Sequence, residues 1–217
     1  MNLPDWFIQG GLVMWPLLLL SILVVTITVE RCWFWFILFM YNKPRDLNHC
    51  LTLIKAKQRQ QASEVVSKQK DPALIMLSIG LCADPIDALI SMEIEARKQL
   101  DKMNSGQSLL DTVVTLAPML GILGTILGII DSFQALSHAG IDRPTAVVGG
   151  ISQALTSTAA GLCVAMLALI AYNLSRHLQY KQALRLEIVA HRYTQARRTN
   201  HIAKIVDNYP VESVLKT

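Results

Sequence analysis

Three stretches of the chain carry no charged side chain: residues 6–29, 112–130 and 145–175. Within them the apolar residues are contiguous rather than alternating, which excludes a β-barrel. A hydrocarbon core about 30 Å thick needs roughly 20 helical residues at about 1.5 Å each, so each stretch can cross a bilayer as a helix. Elsewhere the pattern turns amphipathic. Leu47, Cys50, Leu51 and Ile54 recur at helical spacing, Ile86, Leu89, Ile90 and Ile94 form a second stripe, and Leu186, Val189, Ala190 and Tyr193 a third. Asp84, Pro85 and Asp87 read as the start of the second of these helices, with the Asp as N-cap and Pro at N1. The third uncharged run holds 31 residues, about 46 Å as a helix, and is expected to continue past the bilayer. The pattern predicts an all-α polytopic membrane protein with three transmembrane helices. A helical cytoplasmic domain is formed by the loop between the first two and by helix extensions.

Composition agrees: 17% of the residues are charged and 52% hydrophobic, against about 25% charged in soluble chains. That apolar content also excludes intrinsic disorder. The first run lacks basic residues before it and a small-residue cleavage pattern, so it is expected to stay as a helix rather than be removed as a signal peptide. Ten Lys and Arg fall between residues 42 and 107 and eight after residue 173, whereas residues 1–9 hold none and the connection from 131 to 144 only Arg143. Basic flanks stay in the cytoplasm. The expected layout is a periplasmic N-terminus at 1–9 and a first span with its aromatic extension at 10–41. A cytoplasmic helical loop follows at 42–107, then a second span at 108–136, a periplasmic hairpin at 137–144, a third span at 145–175 and a cytoplasmic extension and tail at 176–217. Trp6, Phe7 and Trp15 mark the outer margin of the first span, and Trp33, Phe34, Trp35 and Phe36 the inner one. Glu30 reads as an interfacial residue paired with a basic neighbour. The four cysteines and five histidines are scattered without ligand spacing, so no metal site is expected. A net charge of +4 is explained by the loops, and no nucleic acid is expected.

The second and third spans hold the informative chemistry. Gly121, Gly124, Thr125 and Gly128 lie on one face of the second, with Gly124 and Gly128 forming GxxxG; Gly150, Ala154, Thr158, Gly161 and Ala165 line a small face of the third. Such faces let two backbones approach closely where lipid supplies no hydrophobic drive. Packing does not account for Ser152, Gln153, Thr156, Ser157 and Thr158, five polar side chains within seven residues, because each needs a partner away from lipid. Thr115 is expected to lie deeper toward the cytoplasm than Thr158, the two belonging to a polar track. Neither span has a central acidic residue; Asp111 and Asp131 bracket the second. A proton carrier needs a titrating group, so another chain would have to supply the carboxylate.

On these residues the sequence resembles the MotA/TolQ/ExbB proton channel family, and most its ExbB/TolQ branch. The match is carried by VMWPLLLLS at 13–21 with Glu30 and Arg31, APMLGILGTILGIIDSF at 117–133 and ISQALTSTAAGLCVAMLALIAYN at 151–173. The resemblance implies a homopentamer in the bacterial inner membrane around a dimer of ExbD- or TolR-like single spans that bring the missing Asp. Proton passage would energise a TonB- or TolA-like transducer for outer-membrane transport or envelope maintenance, with protons as coupling ion and no other cofactor. By motif, Thr158 matches the family's pore threonine, with Thr115, Gln153, Thr156 and Ser157 as further pathway candidates. The sequence departs from the family with Gln153 where Glu is common, Leu167 where Pro is common, and Leu116 before the Ala-Pro pair where some relatives have Thr. A non-conducting membrane scaffold of the same fold is the alternative, with Gln153 as its sign. No nucleophile, phosphate-loop or metal pattern suggests an enzyme.

Overall fold

The computed structural model describes residues 10–42, 44–56, 58–67, 69–84, 86–139 and 144–208. The expected periplasmic N-terminus with Trp6 and Phe7, most of the hairpin before Pro144, Pro85 and the tail beyond Asn208 therefore lie outside the described residues. Among those described the regular structure is all helical, in seven elements: α1 (Met14–Tyr41), α2 (Pro44–Lys55), α3 (Arg59–Ser67), α4 (Pro72–Cys82), α5 (Ala88–Asn104), α6 (Gln107–Ala139) and α7 (Pro144–Asn208). Three long apolar helical stretches, at Met14–Tyr41, Ala88–Ser137 and Val148–Arg198, are suited to crossing a membrane, as the uncharged runs require. With 65 residues, α7 is continuous over its whole length, about 98 Å. The chain divides into two compact units.

The first unit comprises residues 1–33 and 106–176. Its core is narrow: Val13, Met14, Leu17, Val24 and Ile27 of the N-terminal stretch meet Leu110, Val113 and Ala117 of α6 and Val164, Ala165, Ala168 and Ala171 of α7. Around it Leu19, Ile22 and Val25 of α1, Met119 and Ile122 of α6 and Leu155 and Met166 of α7 are exposed, the pattern of helices that face lipid or a neighbouring chain. Arg31 is buried, and its Nη2 lies 2.8 Å from the exposed Glu30 carboxylate, the pairing expected of Glu30. Gly106, at φ +77°, immediately precedes α6 with Ile27 directly against it, and only glycine takes that backbone conformation without strain.

The second unit comprises residues 34–105 and 177–217. Its centre is α4, whose sequence PALIMLSIGLC is apolar all round and buries Pro72, Ala73, Leu74, Met76, Leu77, Gly80 and Leu81, as a helix without a polar face must. Leu47, Cys50, Leu51 and Ile54 of α2, Met92 of α5 and Leu186, Val189 and Tyr193 of α7 join it in one core. The α4 N-terminus is capped by Asp71, whose carboxylate accepts from the Ala73 N–H at 3.0 Å, with Pro72 in the first turn. The same carboxylate, fully buried, is gripped by Arg185 through two bonds of 3.0 and 2.7 Å. Tyr193 donates its hydroxyl to Gly80 O at 2.7 Å. At the end of α1, Phe34 and Trp35 stack edge to face, 5.7 Å apart.

One sequence expectation is corrected here. The helix after Asp84 begins at Ala88, and Asp87, in the αR region, makes no side-chain cap; the Asp-Pro cap operates thirteen residues earlier, at Asp71–Pro72. The stripe of Ile86, Leu89, Ile90 and Ile94 is exposed, Ile86 at 89%. α5 turns Ala88, Met92 and Glu95 inward instead, because Met92 fills the space over Gly80.

Candidate functional site

Small residues bring α6 and α7 together along one seam. A methyl group on Gly161 would lie 2.6 Å from the Ala117 carbonyl oxygen and 3.0 Å from Gly121 Cα; one on Gly121 would lie 3.1 Å from Thr158 Cα. On Gly124 it would meet Ser157 Cβ at 2.6 Å, and on Gly128 the Gly150 carbonyl oxygen at 2.8 Å. These neighbours are mostly backbone, which cannot withdraw, so glycine is required for this approach. Ala154 is buried opposite Gly128, and Ala165 is buried further along α7. Thr125 is half-buried, its hydroxyl donated to the Ile122 carbonyl of its own helix.

Thr158 stands at the centre of the seam. Its hydroxyl donates across to Gly121 O at 3.0 Å, with Ala154 O on its own helix at 3.2 Å. Ser157 is fully buried beside it, against Gly124, with its hydroxyl on Ala154 O. Thr156 is half-buried and bonds back to Ser152 O at 2.8 Å. Thr115 is exposed on α6, bonded to Thr112 O at 2.9 Å. Since Thr158 is level with Gly121, six residues on from Thr115, the two threonines are offset along the helix axis by about 9 Å. Three residues after Thr115, Pro118 lies inside α6; it has no N–H to give to the Val114 carbonyl. Gln153 lies with its amide against Gly11. Gly11, at φ +73°, has no side chain to block that approach. Thr158, Ser157 and the glycines thus meet in one seam, while Thr115 and Gln153 stand to either side of it.

Ser132 and Gly11 were not singled out from the sequence. Ser132 is buried under Gly150 and donates to Gly128 O at 2.8 Å; its signal is the four-residue repeat Gly124, Gly128, Ser132. Gly11 carries no such signal, because its contact depends on the third span. Among the described residues no three His, Cys, Asp or Glu side chains converge, and the seam itself holds no titrating group.

The MotA/TolQ/ExbB proton channel family matches residues 76–188, which include all of α6 and the whole of the α7 seam. The putative biopolymer transport protein ExbB-like 1 of Synechocystis is 36% identical over 189 residues, covering 83% of this chain and 73% of that protein. The biopolymer transport protein exbB1 of Vibrio cholerae is 30% identical over 165 residues, covering 73% of this chain and 72% of that one. The Tol-Pal system protein TolQ of Haemophilus influenzae is 35% identical over 83 residues, 38% of this chain and 36% of TolQ. With three membrane-suited helices and a glycine-lined seam around a threonine, the chain belongs to the MotA/TolQ/ExbB proton channel family, in its ExbB branch.

Proposed function

We propose that the chain is the pore-forming subunit of a proton-driven motor in the bacterial inner membrane. Five copies surround a dimer of ExbD- or TolR-like single-span helices, and the assembly energises a TonB- or TolA-like transducer. The subunit acts as a channel, without catalysing a chemical reaction on a substrate. The N-terminus lies in the periplasm, and the second unit with the C-terminus in the cytoplasm, as the basic residues of 42–107 and of the tail favour. The observation that carries the reading is Thr158: a hydroxyl fixed where α6 and α7 touch, in spans that hold no central carboxylate of their own. Thr115 continues the polar track on one side, with Thr156 and Gln153 on the other, while Ser157 completes the seam from within. A partner carboxyl that binds and releases protons beside Thr158 would draw on the membrane potential, worth about 2.3 kcal/mol per charge per 100 mV.

Native mass spectrometry of the protein extracted from its own membrane tests this. The expected result is five copies with two of a single-span chain carrying a membrane-embedded Asp. A homo-oligomer repeatedly free of any such chain would overturn the motor reading and favour a non-conducting scaffold.

A further inference from the structure

We propose that Thr158 is a hydrogen-bond acceptor that holds the partner's carboxyl group in its protonated form. The inference rests on the motor reading, which supplies that carboxyl. A threonine hydroxyl has one proton and two lone pairs. The Thr158 oxygen has two bonding neighbours, Gly121 O at 3.0 Å and Ala154 O at 3.2 Å, and both are backbone carbonyl oxygens. A carbonyl has no hydrogen to give, so the threonine proton is committed to these two acceptors. Toward a group arriving from outside the seam the hydroxyl then offers only lone pairs. A protonated carboxyl has an O–H to donate and fits. A carboxylate can only accept, and would set oxygen against oxygen.

Thr158 differs in this from the hydroxyls around it. Thr115 and Thr156 bond to carbonyls of their own helical turn, so rotating either disturbs one helix only. The Thr158 bond ties α7 to α6, and turning the hydroxyl toward a carboxylate would break that tie. Gly121 is the positioning residue: its carbonyl is within reach because a glycine there lets the Thr158 backbone approach. The covalent change at the site is proton transfer alone. A carboxylate oxygen takes a proton from water on the side of higher proton potential, the O–H donates to Thr158 while the carboxyl is neutral, and the same O–H breaks when the proton leaves to water on the other side.

The sign of one shift decides the matter. The complex is purified with its co-extracted chains, and the carbonyl stretch of protonated carboxyl groups is followed by infrared spectroscopy against pH, with this chain expressed alone as the blank. Thr158→Val keeps the shape and removes the oxygen. It is expected to lower the pH of half-protonation by about one unit, a tenfold loss of proton affinity. Thr158→Ser keeps the hydroxyl and is expected to leave the midpoint at its wild-type value. Thr158→Ala is read in the same way where the valine form fails to assemble. A rise of the midpoint would show Thr158 donating to the carboxylate, and an unchanged midpoint would show no bond to the carboxyl; either overturns this inference and leaves the motor reading standing. A complex with no co-purifying chain and no titrating band beyond the blank overturns the motor reading and this inference together.

Discussion

The two units solve the problem of packing helices in opposite ways. In the first, contacts between α6 and α7 run through glycine, alanine and serine, and large side chains such as Leu155, Met119 and Met166 point outward. In the second, Leu74, Leu77, Met76 and Tyr193 are buried, and the exposed positions include Arg97, Lys98 and Glu93. The difference follows from the surroundings each is built for. Where lipid is as apolar as leucine, burying leucine yields little, and close backbone approach with an interhelical hydrogen bond takes over. Where water is outside, apolar burial drives assembly at about 25 cal/mol per Å², and polar ties such as Asp71–Arg185 fix which helices meet.

Mutations should separate the two regimes. Arg185→Ala has the largest expected effect, because it leaves the Asp71 carboxylate buried without its cation: about 3–5 kcal/mol, read as loss of amide-exchange protection across α4. Undiminished protection there would mean that the ion pair does not hold the second unit together. Next is Gly161→Ala, which forces a methyl against the Ala117 carbonyl and should cost about 1–3 kcal/mol in the thermal stability of detergent-solubilised protein. Gly149→Ala is the matched control: a Cβ there meets nothing within 4 Å, so its melting temperature should not fall, and the gain in helix propensity should raise it slightly. Tyr193→Phe removes one buried hydrogen bond to Gly80 and should destabilise the second unit by about 1 kcal/mol in denaturant titration.

The smallest effect concerns Cys50. Burial in the second core raises its thiol from 9.0 to about 11, so at pH 8 iodoacetamide should modify the exposed Cys82 long before Cys50. Because the folded value lies above the unfolded one, its contribution to stability is intact below pH 9 and declines as the pH rises toward 11. Equal labelling of the two cysteines in folded protein would contradict the buried placement.

How much of this could be read from the chain differs between the regions for the same physical reason. Spans and small faces are local, written in contiguous runs and in spacings of three and four, so α1, α6, α7 and the glycine seam were legible. The depth offset of Thr115 from Thr158 was also within reach, since counting residues along helices measures distance. The second unit depends on pairings distant in sequence. The spacing of Ile86, Leu89, Ile90 and Ile94 reveals a stripe but not whether anything covers it, and Met92, on another face of α5, is the residue that found a partner. The eleven residues of α4 are too short for a span and too uniformly apolar to show a periodicity. The Asp-Pro cap chemistry was recognised at residues 84–87, whereas it operates at Asp71 and Pro72.

The ion pair between Asp71 and Arg185 joins residues 114 apart in the chain, and both α6 and the uncharged run of α7 at 145–175 are synthesised between them. The core of the second unit therefore cannot close during synthesis until those two spans have left the ribosome. Until then α4, apolar but for Ser78, must wait without its final partners, the condition in which chains aggregate or recruit chaperones. The second unit is thus completed only in a chain whose later spans have already been made.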